Sequence, residues 1–334
     1  FLGPQGLKLP DEVEEEIEAL VFGDGELAYP TGAQIGRIHD VAESRDLYCS
    51  YAKSLFRGSL QGLKIVVDCS NGAATAITPR VLAELGAEVV TIFAEPNGVN
   101  INEGCGSTHP EALQQRVVEE KAHLGLAHDG DADRLLAVDE KGNLVDGDQI
   151  MVITALAHKA LGKLEQNKIV VTVMSNLGLH QAMAKAGIEV LETKVGDRYV
   201  LEKMLETGAV IGGEQSGHII YLRQNNTGDG LITALNLLQV MVDTQKPLSE
   251  LAAQMERYPQ VMANVTVTDK EKVLQSPQVQ DAVAAAREQL KGRGRILVRP
   301  SGTEPKIRLM AEGPDEGELR RLIDELARVV KEAD

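Results

Sequence analysis

Aromatic side chains make up only 3% of this 334-residue chain, too few for the ring platforms on which single-stranded nucleic acids stack. Cations are also scarce. Lys and Arg total 34 against 50 Asp and Glu, a net charge of −16, and so acidic a surface repels a phosphate backbone. Nucleic acid is excluded as a partner on both counts. Cysteine is limited to Cys49, Cys69 and Cys105, an odd number without C-x-x-C spacing. That excludes a disulfide framework and a structural zinc site, and it fits a reducing cytoplasm. No apolar run approaches the roughly 20 residues of a membrane helix, and the opening residues lack the basic and apolar sections of a signal peptide. A soluble, cytoplasmic protein without a membrane partner is expected.

The length suits two or three domains of roughly 100–200 residues each, and one supersecondary unit occurs twice. Lys64-Ile65-Val66-Val67 leads through Ser70-Asn71-Gly72 and a helical stretch to Leu85-Gly86-Ala87-Glu88-Val89-Val90. Lys168-Ile169-Val170-Val171 leads through Ser175-Asn176 and a second helical stretch to Ala186-Gly187-Ile188-Glu189-Val190-Leu191, an offset of 104 residues from Lys64 to Lys168. A β-branched run, a break, an Ala/Leu-periodic helix and another β-branched run predict β-α-β units, hence repeated α/β domains with mixed, mainly parallel sheets. A helix is expected over Met151–Leu161, with a domain boundary near 150 and another near 253. Beyond 253, strands at 261–268, 295–299 and 306–312 and helices at 278–290 and 316–331 predict a small α+β carboxyl-terminal domain. Residues 1–54 hold an acidic helix from Asp11 to Leu20 and a helix from Ala42 to Phe56 but no sheet, and resemble the end of a domain begun earlier.

The loop Asp129-Gly130-Asp131-Ala132-Asp133-Arg134 lies between two apolar runs, Leu124–Ala127 and Leu135–Val138. Three carboxylates at alternate positions repel one another unless an ion stands among them, and oxygen ligands suit a hard cation, magnesium first. Glu140, eleven residues after Asp129, meets the last position of an EF-hand calcium loop. Arg134 stands where that motif needs glycine, and the flanks predict strands rather than helices. A solvated acidic turn is the plain alternative.

Arg299-Pro300-Ser301-Gly302-Thr303-Glu304-Pro305-Lys306-Ile307-Arg308 gathers hydroxyls, a glycine and cations in an otherwise acidic chain. Arginine forks, hydroxyls and inward-turned backbone N–H groups make a phosphate cradle; the alternative is a plain turn between strands. Gly212-Gly213-Glu214-Gln215-Ser216-Gly217-His218 follows a strand at the carboxyl end of the second repeat, where open α/β sheets bind ligands. Glu214 and Ser216 can take sugar hydroxyls. His218 can carry a proton or be structural. Gly196-Asp197-Arg198-Tyr199 reads by itself only as a turn.

In this order the four loops resemble those of the α-D-phosphohexomutases over essentially the whole chain. Gln215, the stretch Pro96–Asn102, Cys105–His109 and the opening Gly3-Pro4-Gln5-Gly6 are similar to the bacterial branch that works on glucosamine phosphate. Phosphomannomutase or phosphoglucomutase specificity is the alternative, and a non-catalytic phosphosugar- or calcium-binding protein is the reading from another class. The resemblance implies three related α/β domains and a smaller fourth around a central cleft: a remnant of the first over 1–54, the second over 55–150, the third over 151–253 and the last over 254–334. It implies conversion of glucosamine 6-phosphate to glucosamine 1-phosphate through a bisphosphorylated sugar and a phosphoserine. Asp129, Asp131 and Asp133 would hold magnesium, with Arg134 and His218 as catalytic residues. Asp197, Arg198, Glu214 and Ser216 would hold the sugar, and Arg299, Ser301, Gly302, Thr303 and Arg308 the phosphate that does not react. The expected partner is a phosphorylated amino sugar, and a homodimer is allowed.

One departure from the family is large. Its nucleophile lies in a Thr/Ser-x-Ser-His-Asn-Pro loop upstream of the Phe-Gly-Pro-type segment that opens this chain, and residues 1–334 contain no such loop. Ser107-Thr108-His109-Pro110 only imitates it and reads as a helix start with Thr108 or His109 at the N-cap. The expectation is therefore an amino-terminally shortened mutase that lacks its nucleophile and is inactive as it stands.

Overall fold

The computed structural model describes every residue except 1, 2, 4, 5, 24–28, 40, 42 and 303. The chain begins with α1 (Asp11–Phe22) and α2 (Glu43–Ser54), followed by β1 (Lys64–Asp68), α3 (Thr78–Glu84), β2 (Glu88–Ile92) and α4 (Glu111–Glu119). A meander of β3 (Leu124–His128), β4 (Leu135–Asp139) and β5 (Leu144–Val145) leads into α5 (Gly147–Ala160). Then come β6 (Lys168–Thr172), α6 (Leu177–Lys185), β7 (Glu189–Thr193), α7 (Asp197–Thr207), β8 (Ile211–Gly213), β9 (Ile219–Tyr221), α8 (Gly230–Thr244) and α9 (Leu248–Ala252). The last part holds β10 (Gln260–Thr266), α10 (Lys270–Gln275), α11 (Pro277–Leu290), β11 (Arg295–Pro300), β12 (Lys306–Glu312) and α12 (Glu316–Glu332). None of the described helices is long and apolar enough to cross a membrane. The elements gather into two units, residues 1–174 with 188–254, and residues 175–187 with 255–334.

The first unit contains two sheets, ordered β2-β1-β3-β4-β5 and β7-β6-β8-β9. In the first, β1 runs parallel to β2 and β3, and Lys64 stands opposite Glu88. In the second, β6 runs parallel to β7 and β8, and Lys168 stands opposite Glu189. The two copies of the sequence repeat therefore form the same parallel pair in the same register. Antiparallel additions, β4 and β5 in one sheet and β9 in the other, make both sheets mixed, as expected for this α/β class. The Ile-Val-Val runs of β1 and β6 are buried, the pattern of inner strands covered on both faces. Val66, Leu113, Val117 and Val138 pack around the first sheet, and Val170, Val200, Met204 and Ile220 around the second.

Two helix starts differ from the sequence reading. Helix α5 begins at Gly147 rather than Met151, because Asp146 and Gln149 form a capping box in which each side chain takes the other's backbone N–H. Helix α4 has Pro110 at its N-cap, not Thr108 or His109. Residues 106–108 form a separate 3-10 turn, closed by the His109 N–H on the Gly106 carbonyl. That turn occupies the expected caps and leaves proline, which has no N–H to satisfy, at the helix start. In α1 no side chain is buried, and Phe22 is exposed.

The second unit is an antiparallel sheet ordered β10-β12-β11, whose inner side chains Val265, Ile307 and Leu309 share a core with Val283, Leu319, Leu322 and Ile323 of α11 and α12. Helix α6 belongs to this unit. Its first N–H, from Leu177, donates to the buried Glu312 carboxylate at 2.8 Å, and Arg295 Nε holds the same group at 2.7 Å.

Candidate active site

The acidic loop closes the β3–β4 hairpin, just beyond the pair His128 and Leu135. One carboxylate oxygen from each of Asp129, Asp131 and Asp133 lies within 4.8 Å of the others, the one such acidic cluster among the described residues. Asp129 is buried, Asp133 half-buried and Asp131 exposed. The loop curls because the Arg134 N–H donates to Asp129 Oδ1 (3.1 Å) and the Ala132 N–H to the Asp129 carbonyl (3.2 Å). Ala132 takes a left-handed backbone conformation, φ 63°. From outside the hairpin, the Ala73 N–H donates to the Gly130 carbonyl at 2.9 Å. A Cβ on Gly72 would stand 2.2 Å from that carbonyl oxygen, so the approach requires glycine.

The electrostatics of the loop favour a cation. Burial first, then the neighbouring Asp133 and Asp131 charges, push the Asp129 carboxyl up to about 6, against the Arg134 N–H. Asp133 is likewise raised, by burial and then by Asp131. Asp133 Oδ1 is buried without a hydrogen-bond partner, and the Arg134 guanidinium is no closer than 3.6 Å to Asp129 and 3.7 Å to Asp133. Three converging carboxylates and an unsatisfied oxygen fit a hard metal ion. The EF-hand pattern does not form. Glu140 receives the Ser249 Oγ–H and the Ser249 N–H (3.2 Å), lies outside the cluster of three, and the flanks are strands.

The Glu214–His218 segment turns between β8 and β9 and meets the acidic loop directly. Arg134 and His218 form an antiparallel bridge, and the Leu135 N–H donates to the Gly217 carbonyl at 3.1 Å. Gly217 has φ 96°, and a Cβ there would stand 2.2 Å from the Leu135 carbonyl oxygen. Glu214 Oε1 accepts the Gly196 N–H at 3.0 Å, bringing in Asp197. Ser216 is exposed. His218 is 3% exposed, and its Nε2 lies 3.6 Å from Asp133 Oδ2 and 3.7 Å from Asp197 Oδ2. Burial lowers its pKa, against the pull of Asp197 and Glu214. Burial opposes ionisation of Asp197 too, yet Lys8, whose Nζ is 2.5 Å away, holds that carboxyl below its usual range. Arg198 is drawn elsewhere, into ion pairs with Glu202 and Asp11.

In the second unit the β11–β12 hairpin carries the predicted phosphate cradle. Arg299 and Arg308 stand directly opposite each other, and burial, followed by the Arg308 charge, lowers the Arg299 pKa. Like charges at this spacing destabilise a sheet unless an anion joins them. Ser301 is buried, and its Oγ accepts from the Glu304 N–H (3.3 Å) and from Arg308 (3.4 Å). Arg308 also reaches Glu304 at 3.3 Å, and its Nε is buried without a partner. At Gly302 a Cβ would meet nothing within 4 Å, so neither crowding nor a left-handed turn requires glycine there. Thr303 lies outside the described residues.

Some contributors carry no motif. Lys270 Nζ donates to the carbonyls of Ser301 (2.7 Å) and Glu304 (3.2 Å) and shapes the cradle from α10. Lys8 acts on Asp197 from near the start of the chain. Asp229 and Gly230, the N-cap and first residue of α8, likewise belong to none of the four loops.

Family models described as phosphoglucomutase/phosphomannomutase match this chain: α/β/α domain II at residues 46–142, α/β/α domain III at 146–258 and the C-terminal domain at 262–329. Phosphoglucosamine mutase of Desulforamulus reducens is 60% identical over 99% of this chain and 74% of its own length. The protein of the same name from Carboxydothermus hydrogenoformans is 60% identical over 99% and 75%. This chain thus spans about three quarters of these relatives. Among solved structures, a phosphoglucomutase/phosphomannomutase family protein from Burkholderia thailandensis superposes with a TM-score of 0.77 at 25% identity, over 98% of this chain and 71% of that one. Aspergillus fumigatus N-acetylphosphoglucosamine mutase, solved with GlcNAc-6P and magnesium, has a TM-score of 0.72 at 20% identity, over 87% and 65%, a likeness of fold.

Proposed function

The chain belongs to the phosphoglucosamine mutase family of phosphohexomutases, and from that premise we propose that it serves the interconversion of glucosamine 6-phosphate and glucosamine 1-phosphate by intramolecular phosphoryl transfer through a bisphosphorylated sugar. The observation that carries this reading is the convergence of Asp129, Asp131 and Asp133 beside the turn that bears Glu214, Ser216 and His218. Magnesium is the ion proposed for the three aspartates; when bound it supplies charge that neutralises phosphoryl oxygens during in-line transfer. Arg134, only loosely paired with Asp129 and Asp133, is free to turn its guanidinium toward a phosphoryl oxygen.

His218, kept neutral by burial, can take a proton from a sugar hydroxyl at Nε2, and the anionic Asp197 favours the imidazolium that results. Glu214 uses one oxygen on Gly196 and offers the other to a sugar hydroxyl, as Ser216 offers its own. Arg198 serves the substrate only by exchanging its present ion pairs. Arg299, Ser301, Gly302, Thr303 and Arg308 grip the phosphate that does not react, which joins the two opposed guanidinium groups. None of residues 1–334 is proposed as the phosphorylated serine. A division into segments at 1–54, 55–150, 151–253 and 254–334, a cytoplasmic setting and a homodimeric state belong to the same proposal.

The test is a coupled assay for glucosamine 1-phosphate formed from glucosamine 6-phosphate, run with magnesium on the gene product that carries this chain, together with calorimetry of both sugar phosphates on residues 1–334. Turnover with a preference for the amino sugar over glucose 6-phosphate and mannose 6-phosphate is the expected result. Absence of turnover and of sugar-phosphate binding would sink the assignment.

A further inference from the structure

The acidic loop is shaped from outside the hairpin that carries it, and one of its external supports traces back to side chains far away in sequence. Beyond the Ala73 contact, the Gly230 N–H donates to the Ala132 carbonyl at 2.9 Å. Ala132 is the residue at φ 63°, a conformation an alanine keeps only when its surroundings hold it. Gly230 is the first residue of α8, and Asp229 is the N-cap. Asp229 Oδ1 accepts the Ile232 N–H at 2.9 Å, and its carbonyl accepts the Thr233 N–H at 2.9 Å. With the later donors of the first turn satisfied, the foremost N–H of the helix is directed at Ala132. The second carboxylate oxygen of Asp229 accepts the Tyr48 hydroxyl at 2.6 Å, from helix α2. Tyr48 and Asp229 line the same pocket as Asp131 and Asp133.

Resting on the reading of the three aspartates as the magnesium site, we propose that Asp229 is a positioning residue of that site and that Tyr48 holds Asp229 in the role. The N-cap fixes the first turn of α8, the Gly230 N–H fixes the Ala132 carbonyl, and Asp131 and Asp133, on either side of Ala132, are thereby set at the spacing a small ion needs. Magnesium demands near-ideal octahedral geometry at about 2.0–2.1 Å, whereas calcium accepts about 2.3–2.6 Å and variable coordination. A loosened loop therefore loses magnesium affinity more than calcium affinity. Loss of this preference is what distinguishes positioning from support of the fold in general.

The experiment is calorimetric titration of residues 1–334 and their variants with magnesium and with calcium, with melting measured in EDTA. Asp229→Ala is expected to weaken magnesium binding about tenfold, the low end of what outer-shell partners of metal ligands are worth, with a smaller loss for calcium. Tyr48→Phe, which removes one hydrogen bond, is expected to weaken magnesium roughly threefold in the same direction. Asp229→Asn, which keeps an oxygen for the Ile232 N–H, should restore most of the preference. An unchanged magnesium-to-calcium ratio in Asp229→Ala and Tyr48→Phe, even with a lowered melting temperature, would overturn the proposal and leave the metal site standing. Should Asp229→Ala fail to fold, Tyr48→Phe alone decides. A parent chain that binds no magnesium would overturn the metal reading itself, and this proposal with it.

Discussion

Replacing Asp129 with asparagine should make the metal-free chain more stable while abolishing its response to magnesium. Asp129 is 7% exposed, and its carboxyl is pushed from 3.8 to about 6, first by burial and then by the charges of Asp133 and Asp131, against the Arg134 N–H. Between those two values the folded chain binds a proton that the unfolded chain does not. Stability therefore falls as pH rises through that window, and the full penalty is present above it. A move from 3.8 to about 6 corresponds to about 3 kcal/mol. Asparagine carries no charge but keeps the oxygen that accepts the Arg134 N–H at 3.1 Å. In EDTA at pH 8 the variant should gain about 1–3 kcal/mol over its parent, and the gain should vanish near pH 4, where the parent is protonated.

Magnesium is expected to reverse the ranking. An ion at a hundred times its dissociation constant stabilises the parent by about 2.7 kcal/mol, while the variant, short of one charged ligand, should respond little. Because the chain has two units, the assay is amide hydrogen exchange of β3 and β4, read at pH 8 and at lower pH with magnesium or EDTA. A variant less stable than its parent in EDTA at pH 8, or a difference that does not shrink with falling pH, would refute the electrostatic account of the loop.

Gly72→Ala sets a Cβ 2.2 Å from the Gly130 carbonyl oxygen, so it should cost about 1–3 kcal/mol of stability and weaken magnesium binding, as read by thermal shift with and without the ion; unchanged values of both would contradict the clamp. Glu140→Gln should leave calcium and magnesium affinities unchanged, because Ser249 already occupies the carboxylate; a tenfold loss of calcium affinity would reinstate the EF-hand. Arg299→Met removes one of two opposed guanidinium groups and should raise the stability of the unliganded hairpin by about 0.2–1 kcal/mol. The same change should lower affinity for glucosamine 6-phosphate roughly tenfold or more, as loss of a charge-assisted hydrogen bond predicts. Calorimetry checks this, and an unaltered affinity would remove Arg299 from the phosphate site.

How far the sequence could be read depended on whether the determining group was a side chain. The repeat at 104 residues was legible because inner parallel strands need unbroken β-branched runs, and both copies supply Ile-Val-Val at the same register. The gathering of three aspartates was legible because alternation, small spacers and apolar flanks leave few other uses for the charge. The start of α5 was missed although Asp146 and Gln149 spell a capping box, since the apolar periodicity inside the helix drew the boundary inward. The cap of α4 was misplaced because a separate 3-10 turn can take up Thr108 and His109 without any local signature. Glu140 matched a motif position and proved to be a partner of Ser249, 109 residues away, a contact that spacing alone does not encode.

The supports of the acidic loop lie at the far end of that scale. Two of the groups that touch it from outside the hairpin are backbone N–H groups, of Ala73 and Gly230, and every residue but proline has one. Behind these two contacts side chains enter one step back, as a missing Cβ at Gly72 and a cap at Asp229 tied to Tyr48. Motifs therefore single out the oxygens proposed to hold an ion, whereas the distances among those oxygens, and with them the proposed preference between magnesium and calcium, depend on residues that resemble ordinary turns and helix starts. Substitutions at Gly72, Tyr48 and Asp229 should then change which ion is bound more than whether one is bound, and substitutions among the three aspartates should do the reverse.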